Sequence, residues 1–437
     1  MSADTVRHCP ALFLTAPASH QGKTTLTAGL ARYHRDQGRR VRVFKTGPDY
    51  LDPYILEQAS GHPVHSLDLW MTGEDDCRHR LYAAAADADL ILIEGSMGMF
   101  DGTPSSADLA ATLGVPLLAV IDVTGMAQTF AAVAHGLASF RPGLAFHGVL
   151  ANRVASARHA EMLLQALPTE LRCVGTVLRD EAMALPERHL GLVQAQEVDD
   201  LEARLQQAAA QIAGTALVEL PPAVALRPTF AAAVPPLLAG TTIAIARDKA
   251  FSFIYPANIE LLAALGATLA FFSPLADEAL PPADAVYLPG GYPELHLATL
   301  AASQRTAAGL RQHVAAGKPL YAECGGMLYL LDALTDKTGA SGAMLGLLPG
   351  HATLGRRLAG LGLQSVTLGG GELRGHTFHY TSLATPLTPA THAVRNSSPL
   401  PGEALYCHGS IVASYLHLYF PSNPFATAVL FTGKTTP

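Results

Sequence analysis

The stretch Leu12–Thr25, with the sequence LFLTAPASHQGKTT, is the feature that most constrains how this chain folds. An apolar run leads into a turn of small residues, then into Gly22, Lys23 and Thr24, and then into an amphipathic run. In the pattern G-x-x-x-x-G-K-[ST], backbone N–H groups surround phosphates, the lysine reaches the β and γ oxygens, and the hydroxyl binds Mg²⁺. The stretch therefore predicts a strand, a phosphate-binding loop and a helix.

The residues of this loop that we predict to bind the phosphates of ATP are Ser19, Gln21, Gly22, Lys23, Thr24 and Thr25. The match to the pattern is imperfect, because Pro17 stands where the first glycine is expected and His20 lies where small residues are usual. An ordinary helix N-terminus is the alternative, since Gly-Lys-Thr-Thr often occurs by chance. The strand and helix patterns on either side favour the phosphate loop.

The length of 437 residues exceeds one typical core and predicts two domains. The most apolar long window, residues 230–246, is interrupted by Pro235, Pro236 and Gly240, so no transmembrane helix is expected. The N-terminus lacks the basic and apolar regions of a signal peptide, and a cytoplasmic protein is expected. The net charge of −7 offers no basic footprint for nucleic acid, so an anionic substrate would need a local basic pocket.

The cysteines are scattered, odd in number and without C-x-x-C spacing: Cys9, Cys77, Cys173, Cys324 and Cys407. This distribution argues against a disulfide framework and against a zinc site. Each cysteine is expected to be a small buried residue unless its neighbours indicate otherwise.

Apolar segments typical of strands alternate with helical patterns in both halves, which predicts parallel α/β sheets. The predicted strands are 42–45, 88–94, 115–122 and 144–152 in the first half, and 242–248, 267–273, 285–288 and 319–323 in the second. A run rich in alanine and glutamine after Asp199 predicts a closing helix, and the proline-rich residues 220–236 predict a linker. We place the domains at 1–235 and 241–437, with the linker over about residues 207–240.

Acidic residues follow the predicted strands at ends that a parallel sheet brings to one edge. Asp49 and Asp52 leave a strand in the run KTGPDYLDP, Glu94 ends the next strand in EGSMGMFDG, and Asp122 ends a third. Mg²⁺ prefers hard oxygen ligands, so Thr24, Asp49 and Glu94 are predicted to hold it beside the ATP phosphates. For any single carboxylate, a helix N-cap or a solvated loop charge is the alternative.

A cysteine in the second half follows a predicted buried strand at a glycine turn. Cys324 lies in AECGGMLYL, where a sharp turn from the strand into a helix over MLYLLDAL would present the thiol as a nucleophile. The helix N-terminus is expected to lower the thiol pKa, and a buried inert cysteine is the alternative. His417 is the predicted base, and the segment Pro289–Glu294 offers backbone N–H groups for an oxyanion hole.

Together these residues resemble the cobyrinic and hydrogenobyrinic acid a,c-diamide synthases, two-domain amidotransferases of corrin biosynthesis. The resemblance runs in order over nearly the whole chain and rests on the P-loop and on KTGPDYLDP, EGSMGMFDG, LPERHLGL, LPGGYPEL, AECGGMLYL, GHTFHYTS and SYLHLYFPSNP. It implies an N-terminal P-loop domain similar to dethiobiotin synthetase and a C-terminal class I glutamine amidotransferase domain of α/β fold. The catalytic cysteine and histidine of that family match Cys324 and His417, and its oxyanion glycine lies in the segment matching Gly290 and Gly291.

The resemblance implies a glutamine-hydrolysing ligase of cobalamin biosynthesis, which uses ATP and Mg²⁺ to amidate the a and c acetates of the ring through acyl phosphates. Tyr50, Leu51 and Asp101 are predicted to orient the macrocycle, with packing as the alternative. Asn152 is predicted to contact adenine, with a structural turn as the alternative. The expected partners are the corrinoid, ATP and glutamine, with neither nucleic acid nor membrane, and a homodimer is considered.

Three positions depart from the family pattern. His20 replaces a loop glycine, Thr377 stands where glutamate is usual, and Tyr419 occupies a position where the wider amidotransferase class often has a glutamate. A complete Cys-His-Glu triad is therefore not assumed. The alternatives are the same chemistry on a related tetrapyrrole, as in nickel-sirohydrochlorin a,c-diamide synthase, or on other carboxylates, as in cobyric acid synthase. A non-catalytic P-loop regulator is the more distant alternative.

Overall fold

The structure is a computed structural model that describes residues 5–188, 191–192, 195–229 and 234–433. Its contacts divide the chain into two compact units, unit 1 with residues 1–231 and unit 2 with residues 232–437. The division lies close to the predicted boundary at residue 235. Residues 189–190 of the LPERHLGL motif and 230–233 of the predicted linker fall outside the described residues. Within the described ranges, no helix is long and apolar enough to span a bilayer.

Unit 1 alternates strands and helices from its first residues. Its strands are β1 Arg7–Thr15, β2 Val41–Thr46, β3 His65–Leu67, β4 Leu90–Glu94, β5 Leu117–Asp122, β6 Phe146–Val154, β7 Cys173–Leu178, β8 Glu187–Arg188, β9 Gly191–Leu192 and β10 Ala223–Leu226. Its helices are α1 Lys23–Asp36, α2 Asp52–Ser60, α3 Glu74–Ala84, α4 Ser106–Leu113, α5 Thr129–Ser139, α6 Ala157–Ala166 and α7 Leu201–Ile212. Short helical turns lie at Leu69–Gly73, Glu181–Met183, Ala195–Glu197 and Ala216–Val218.

The central sheet of unit 1 has the strand order β3-β2-β4-β1-β5-β6-β7. These strands run parallel to their neighbours, and the four strands predicted in this half correspond to β2, β4, β5 and β6. Because parallel strands end at the same edge, the loops after β1, β2, β4, β5 and β6 meet there. This edge carries the predicted ATP site.

The strand β1 is apolar on both faces because helices cover both sides of the sheet. Phe13 packs into a buried cluster on one face, while Leu12 and Leu14 pack into a second cluster on the other. Burying side chains of this kind contributes roughly 1.5–3 kcal/mol each. On the second face, α1 approaches α7 so closely that a Cβ added to Gly29 would lie 2.8 Å from the Cβ of Ala208.

Unit 2 has a longer run of strands toward its C-terminus. Its strands are β11 Thr242–Ala246, β12 Thr268–Phe272, β13 Ala285–Leu288, β14 Leu320–Glu323, β15 Ala333–Thr335, β16 Ser341–Ala343, β17 His351–Leu354, β18 Gly360–Leu368, β19 Gly371–His379, β20 Thr381–Ala384, β21 Thr391–Arg395, β22 Pro401–His408, β23 Ile411–Ser414 and β24 His417–Tyr419. Its helices are α8 Pro256–Ala264, α9 Leu297–Ala302, α10 Gln304–Ala315, α11 Gly325–Leu330 and α12 Pro424–Thr432, with short helical turns at Pro293–Leu295 and Phe420–Ser422.

The main sheet of unit 2 is mixed, with the order β12-β11-β13-β14-β23-β22-β21-β18-β19-β24. The strands from β12 to β23 pair in parallel, and the four strands predicted in this half correspond to β11 to β14. From β23 onward the pairs are antiparallel. The parallel part ends just before Cys324, and the last antiparallel pair sets His417 opposite His376.

Two predictions of local structure were wrong in part. The predicted linker contains the end of α7 and the strand β10, which pairs antiparallel with β1. The helix predicted over MLYLLDAL ends at Leu330, and β15 follows at Ala333–Thr335. In both cases, pairing with a strand elsewhere in the chain outweighs the local pattern.

Candidate active sites

A cavity of about 300 Å³ opens beside the loop after β1, at the carboxyl edge of the unit 1 sheet. The predicted phosphate-binding residues that line it are Ser19, Gly22, Lys23, Thr24 and Thr25. Lys45, Asp49, Asp52, Glu94 and Arg153 also line it, so both signs of charge face the same space. Such a cavity can hold the phosphates of a nucleotide together with a cation.

The backbone of the loop is held by residues at the ends of two neighbouring strands. The side-chain amide of Asn152 donates to the carbonyl of Gln21 at 2.9 Å, and the N–H of Asp122 donates to Gln21 Oε1 at 2.8 Å. Gly22 has φ of 85°, and a Cβ there would lie 2.4 Å from the amide nitrogen of Asn152. This contact favours the structural alternative for Asn152, whose adenine contact stays a prediction. Gln21 supports the loop from within the same hydrogen-bond network.

The backbone conformation of His20 explains how a histidine can replace the loop glycine. Its φ is 61°, a left-handed conformation that histidine adopts more readily than most residues. Arg153 donates to the carbonyl of His20 at 3.3 Å and pairs with Asp122 at 2.6 Å. The backbone shape that a glycine would adopt is therefore kept, and Arg153 is a contact of the loop that sequence reasoning missed.

Lys23 points into the cavity from the start of α1. Its Nζ donates to the carbonyls of Met97 at 2.8 Å and Ala18 at 3.3 Å. Burial, and then repulsion from Lys45, lower the pKa of Lys23 to about 8. The side chain therefore remains a cation at neutral pH, in a low-dielectric place where its attraction for a phosphate is strong.

Thr24 lies between two carboxylates, one from the end of β4 and one from the start of α2. Its hydroxyl lies 2.8 Å from Glu94 Oε1 and 3.2 Å from Asp52 Oδ2. Between the same two carboxylates lies Lys45, with its Nζ at 2.9 Å from Glu94 and 2.7 Å from Asp52. Sequence reasoning missed Lys45 as a site residue and passed over Asp52, although both belong to the motif that contains Asp49.

Asp49 takes a different place from the one predicted for it. Its Oδ1 accepts from the N–H groups of Leu51 at 2.8 Å and Asp52 at 3.2 Å, and its Oδ2 lies 3.7 Å from Lys45. Burial, and then repulsion from Asp52, raise the pKa of Asp49 to about 7. The structure thus joins Asp52 directly to Thr24, while Asp49 shapes the turn before α2 and remains a predicted metal ligand.

Lys45 is the counter-ion of this acidic group. Burial disfavours its charge, but Asp52, Glu94 and Asp49 together outweigh burial and raise the pKa of Lys45 well above its usual value. Burial raises the pKa of Glu94, although Lys45 opposes this. Four ionisable groups therefore share one small, nearly dry volume.

The donor set fits a hard cation of the kind that accompanies ATP. Glu94 is fully buried, and its second oxygen, Oε2, has no hydrogen-bond partner among the residues that the structure describes. Among the described residues, no three or more His, Cys, Asp or Glu side chains form a group that could hold a metal by themselves. Mg²⁺ needs less than this, because it is usually bound by one or two carboxylates together with phosphates and water.

The three predicted contacts of the macrocycle are not among the residues that line the cavity. Tyr50 is buried, and Leu51 precedes α2 with part of its surface exposed. Asp101 is exposed and accepts from the N–H of Gly98 at 3.0 Å, in a turn so close that a Cβ on Gly98 would lie 2.4 Å from the Asp101 carboxylate. Asp101 therefore has a structural function, and contact with substrate stays a prediction for all three.

In unit 2, Cys324 lies at the sharp turn that its sequence predicts. Its φ of 43° is a strained conformation for a residue with a side chain, and its N–H donates to the carbonyl of Ser414 at 2.7 Å. The two glycines after it are needed for space, because a Cβ on Gly326 would lie 2.1 Å from the carbonyl oxygen of Leu288. This is the geometry of a nucleophile elbow.

The predicted lowering of the Cys324 pKa by the helix N-terminus is present, through the N–H of Gly325, but burial outweighs it. Burial raises the pKa of Cys324 well above its usual value, and the carboxylate of Glu294 raises it further. The helix α11 begins directly after the cysteine but is only 6 residues long. The thiol is thus neutral before substrate binds, and its reaction depends on a base that removes the proton.

His417 is fully enclosed and lies beside the predicted oxyanion segment. A Cβ added to Gly290 would lie 2.2 Å from the Cε1 of His417, so this position excludes any larger residue. The next residue, Gly291, contacts the turn after Cys324: a Cβ on Gly325 would lie 2.8 Å from the Gly291 nitrogen. The glycine pair therefore connects the histidine with the cysteine turn, and its function as an oxyanion hole stays a prediction.

The environment of His417 keeps its imidazole neutral. Burial lowers the pKa of His417 well below its usual value, and His376 lowers it further. The imidazole rings of His376 and His417 stack with their centroids 5.0 Å apart. Thr377, another departure from the family pattern, donates to Glu403 at 3.1 Å and lies on β19 beside His376. A neutral imidazole is the form that can accept a proton from a thiol.

The fold and these two sites define an ATP-dependent amidotransferase, with a P-loop nucleotide-binding unit and a glutaminase unit. Residues 12–193 match the CobQ/CobB/MinD/ParA nucleotide binding domain, and residues 242–425 match the CobB/CobQ-like glutamine amidotransferase domain. The predicted fold class is thereby confirmed.

The family is shown by relatives that align over almost the whole chain. The chain is 58% identical to a hydrogenobyrinate a,c-diamide synthase of Stutzerimonas stutzeri, over 98% of this chain and 99% of that protein. It is 55% identical to a protein of the same name from Pseudomonas aeruginosa, over 98% of each chain. It is 50% identical to a cobyrinate a,c-diamide synthase of Herminiimonas arsenicoxydans, over 96% of each chain. The chain belongs to the cobyrinate and hydrogenobyrinate a,c-diamide synthase family, as its motifs indicated.

Proposed function

We propose that this protein uses ATP and glutamine to convert the a and c acetate carboxylates of hydrogenobyrinic or cobyrinic acid into amides in cobalamin biosynthesis. The observation that carries the proposal is the buried group of Thr24, Lys45, Asp52 and Glu94 beside the P-loop. The relatives at 58% and 55% identity, which are named as a,c-diamide synthases, support the choice of substrate class. This group provides fixed charges where a nucleotide phosphate would lie. The glutaminase unit supplies the nitrogen.

The ATP site addresses the low reactivity of a carboxylate. Ammonia does not displace oxide from a carboxylate, because oxide is a very poor leaving group. When a substrate carboxylate oxygen attacks the γ-phosphorus of ATP, the bond to ADP breaks and an acyl phosphate forms. Lys23 and the loop N–H groups would stabilise the charge on the transferred phosphoryl group, and catalysis would rest on position and electrostatics. Lys45 would keep the buried carboxylates from repelling the phosphates.

The residues that would hold Mg²⁺ are Thr24, Glu94 and Asp52, with Asp49 as the ligand that the sequence predicts. Bound there, the cation would neutralise charge on the ATP phosphates. The unpartnered oxygen of Glu94 supports this assignment, because a buried carboxylate oxygen without a partner is costly.

The glutaminase unit would release ammonia through a thioester. The sulfur of Cys324 attacks the side-chain amide carbon of glutamine while His417 takes the thiol proton and passes it to the departing nitrogen. Ammonia leaves, and water then hydrolyses the thioester to give glutamate and the thiol. Ammonia attacks the acyl phosphate, the C–N bond forms and phosphate leaves. Two such rounds give the diamide.

The metal-free ring is the first substrate to test, because the relatives at 58% and 55% identity carry the hydrogenobyrinate name. The ATP and glutamine sites do not contact the centre of the ring in this scheme, so they do not distinguish the two rings. A related tetrapyrrole, or other carboxylates of a corrinoid, is the second candidate that the domain architecture allows.

The test is to incubate the protein with Mg-ATP, one nitrogen donor and either hydrogenobyrinic or cobyrinic acid, and to follow products by mass spectrometry. We expect two conversions of carboxyl to amide on one ring. Cys324→Ala should lose the reaction with glutamine and keep the reaction with ammonium chloride. Glutaminase activity without amidation of either ring would overturn the substrate assignment, and nickel-sirohydrochlorin would be tested next.

A further inference from the structure

The side chain immediately before the catalytic cysteine lies next to the catalytic base. Glu323 is the last residue of β14, and its Oε2 lies 4.0 Å from Nδ1 of His417. The exposed fractions of the two side chains are 1% for Glu323 and 2% for His417, so water screens their interaction little. At this distance, a carboxylate attracts a protonated imidazole strongly.

Three hydrogen bonds hold this carboxylate in place. The hydroxyls of Tyr321 and Tyr287 each donate to it at 2.8 Å, and the N–H of Leu418 donates at 2.9 Å. Leu418 directly follows His417. Glu323 therefore ties the strand that carries the nucleophile to the strand that carries the base.

A carboxylate is a costly choice for a purely structural link at this position. Moving a carboxylate into a dry core costs several kcal/mol, and well-packed apolar residues are often as stabilising or more so. Burial raises the pKa of Glu323 to about 7, although Leu418 and the two tyrosines favour its ionised form. The nearby catalytic histidine gives a reason for the charge, because a base that accepts a proton becomes a cation.

Other candidates for this function are engaged elsewhere or lack a carboxylate. Glu403 lies 3.2 Å from His379 Nε2 and accepts from Thr377 at 3.1 Å. Tyr419, two residues after His417, is fully buried with its ring 5.5 Å from that of Tyr255. Glu323, by contrast, has its carboxylate 4.0 Å from Nδ1 of the base.

We propose that Glu323 is the positioning residue of the glutaminase site and completes a Cys324-His417-Glu323 triad. Its carboxylate holds the proton on Nδ1 of His417 and thereby keeps Nε2 available to accept the thiol proton. It acts in its ionised form, which a neighbouring imidazolium favours, and stabilises that imidazolium without accepting its proton. The proposal requires the 4.0 Å separation to shorten in the glutamine complex, where active-site hydrogen bonds often tighten. The proposal rests on the proposed glutaminase activity.

The test compares Glu323→Gln with the parent enzyme in steady-state glutamine hydrolysis. The glutamine side chain keeps the volume and can still bond to the tyrosines, but it carries no charge. We expect kcat to fall by roughly 100-fold or more, with KM for glutamine within about threefold of the parent. Amidation with ammonium chloride should stay within about twofold. A kcat within about fivefold of the parent would overturn the proposal.

Two matched variants separate positioning from structure. Tyr287→Phe and Tyr321→Phe each remove one donor to the same carboxylate but leave its charge beside His417. We expect kcat losses below about tenfold in both, and losses as large as that of Glu323→Gln would assign Glu323 a structural function only. If Glu323→Gln does not fold, Glu323→Asp is measured in its place. It retains the charge but withdraws it from Nδ1, so a kcat loss of about tenfold or more is expected, and parental kcat would contradict the proposal.

The outcome for Cys324→Ala distinguishes failure of this proposal from failure of the proposed function. If Cys324→Ala still hydrolyses glutamine, the glutaminase assignment itself fails. If Cys324→Ala is inactive and Glu323→Gln is fully active, the glutaminase assignment stands and the triad does not.

Discussion

The two active sites place their reacting groups in opposite electrostatic states. At the ATP site, Lys45 pairs with the buried carboxylates of Asp49, Asp52 and Glu94, and Lys23 lines the same cavity. At the glutaminase site, burial holds both Cys324 and His417 in their neutral forms. The difference follows the chemistry: phosphoryl transfer needs fixed charge around a spreading anion, whereas attack by a thiol begins with proton transfer between neutral groups.

The comparison also shows how each site limits the cost of burial. The ATP site offsets desolvation by pairing charges with each other, so each group depends on its neighbours. The glutaminase site keeps Cys324 and His417 neutral in the resting state, and the buried carboxylate of Glu323 is held by neutral donors. We therefore expect substitutions at the ATP site to affect stability as well as catalysis, and substitutions at the glutaminase site to affect mainly catalysis.

The largest effect is expected for Lys45→Met. Removal of this cation leaves Asp52 and Glu94 buried together without their counter-ion, which should destabilise the protein by about 3–5 kcal/mol. Urea unfolding, followed by circular dichroism, measures the loss. Arg40→Met is the control, because its pair with Asp89 is largely exposed and should be worth less than about 1 kcal/mol. Equal effects of the two variants would contradict the view that the ATP site is stabilised by paired charge.

The next largest effect, measured on catalysis, is expected for Lys23→Ala. Loss of one fixed cation at the transferred phosphoryl group should lower amidation by about 10²–10³-fold, with glutamine or with ammonia as the donor. Basal glutamine hydrolysis should remain within about threefold of the parent. Product formation measured by mass spectrometry and glutamate release provide the two readouts. A parallel fall in glutamine hydrolysis would break the separation between the sites.

The pH dependence of stability should reveal a buried neutral histidine in unit 2. Burial lowers the pKa of His376 to about 3, while an unfolded chain protonates histidine near pH 6.5. Below pH 6.5 the unfolded state therefore binds a proton that the native state does not, and stability present above that pH is lost on acidification. Relative to His376→Gln, the parent should lose about 1.4 kcal/mol per pH unit between about pH 6 and 4. The measurement is the unfolding free energy of both proteins at pH 7, 6 and 5. A difference between parent and variant that does not change with pH would show that the native-state pKa of His376 is not lowered.

The smallest effect is expected for His20→Gly, at the loop position that departs from the family pattern. Glycine adopts the left-handed conformation without strain but adds entropy to the unfolded chain, so stability should change by less than about 1 kcal/mol. KM for ATP should change by less than about fivefold, because the backbone shape is retained. A loss of twentyfold or more in affinity would show that the imidazole itself contacts the nucleotide. Isothermal titration with ATP provides an independent check.

Much of the candidate site could be predicted from sequence because each part is a local pattern. Lys23 and Thr24 follow from the loop motif, and Cys324 follows from a cysteine between an apolar strand and two glycines. The spacing of the motif does not say whether Asp49 or Asp52 faces Thr24, so the sequence alone could not choose between them as the Mg²⁺ ligand. That choice depends on where the turn before α2 begins, and the hydrogen bonds of Asp49 to the turn place Asp52 nearer.

Hydrophobic periodicity and short motifs are local properties, and they are enough to predict the two α/β units, the order of their motifs and the type of chemistry at each site. Only the tertiary structure decided which buried groups meet. Lys45 joins Glu94 because β2 and β4 pair in register, and Glu323 meets His417 because the end of β14 lies close to the start of β24, a strand far away in the sequence. Charge in a folded protein depends on such neighbours and on burial, so the raised pKa of Cys324 could not be seen in the order of residues.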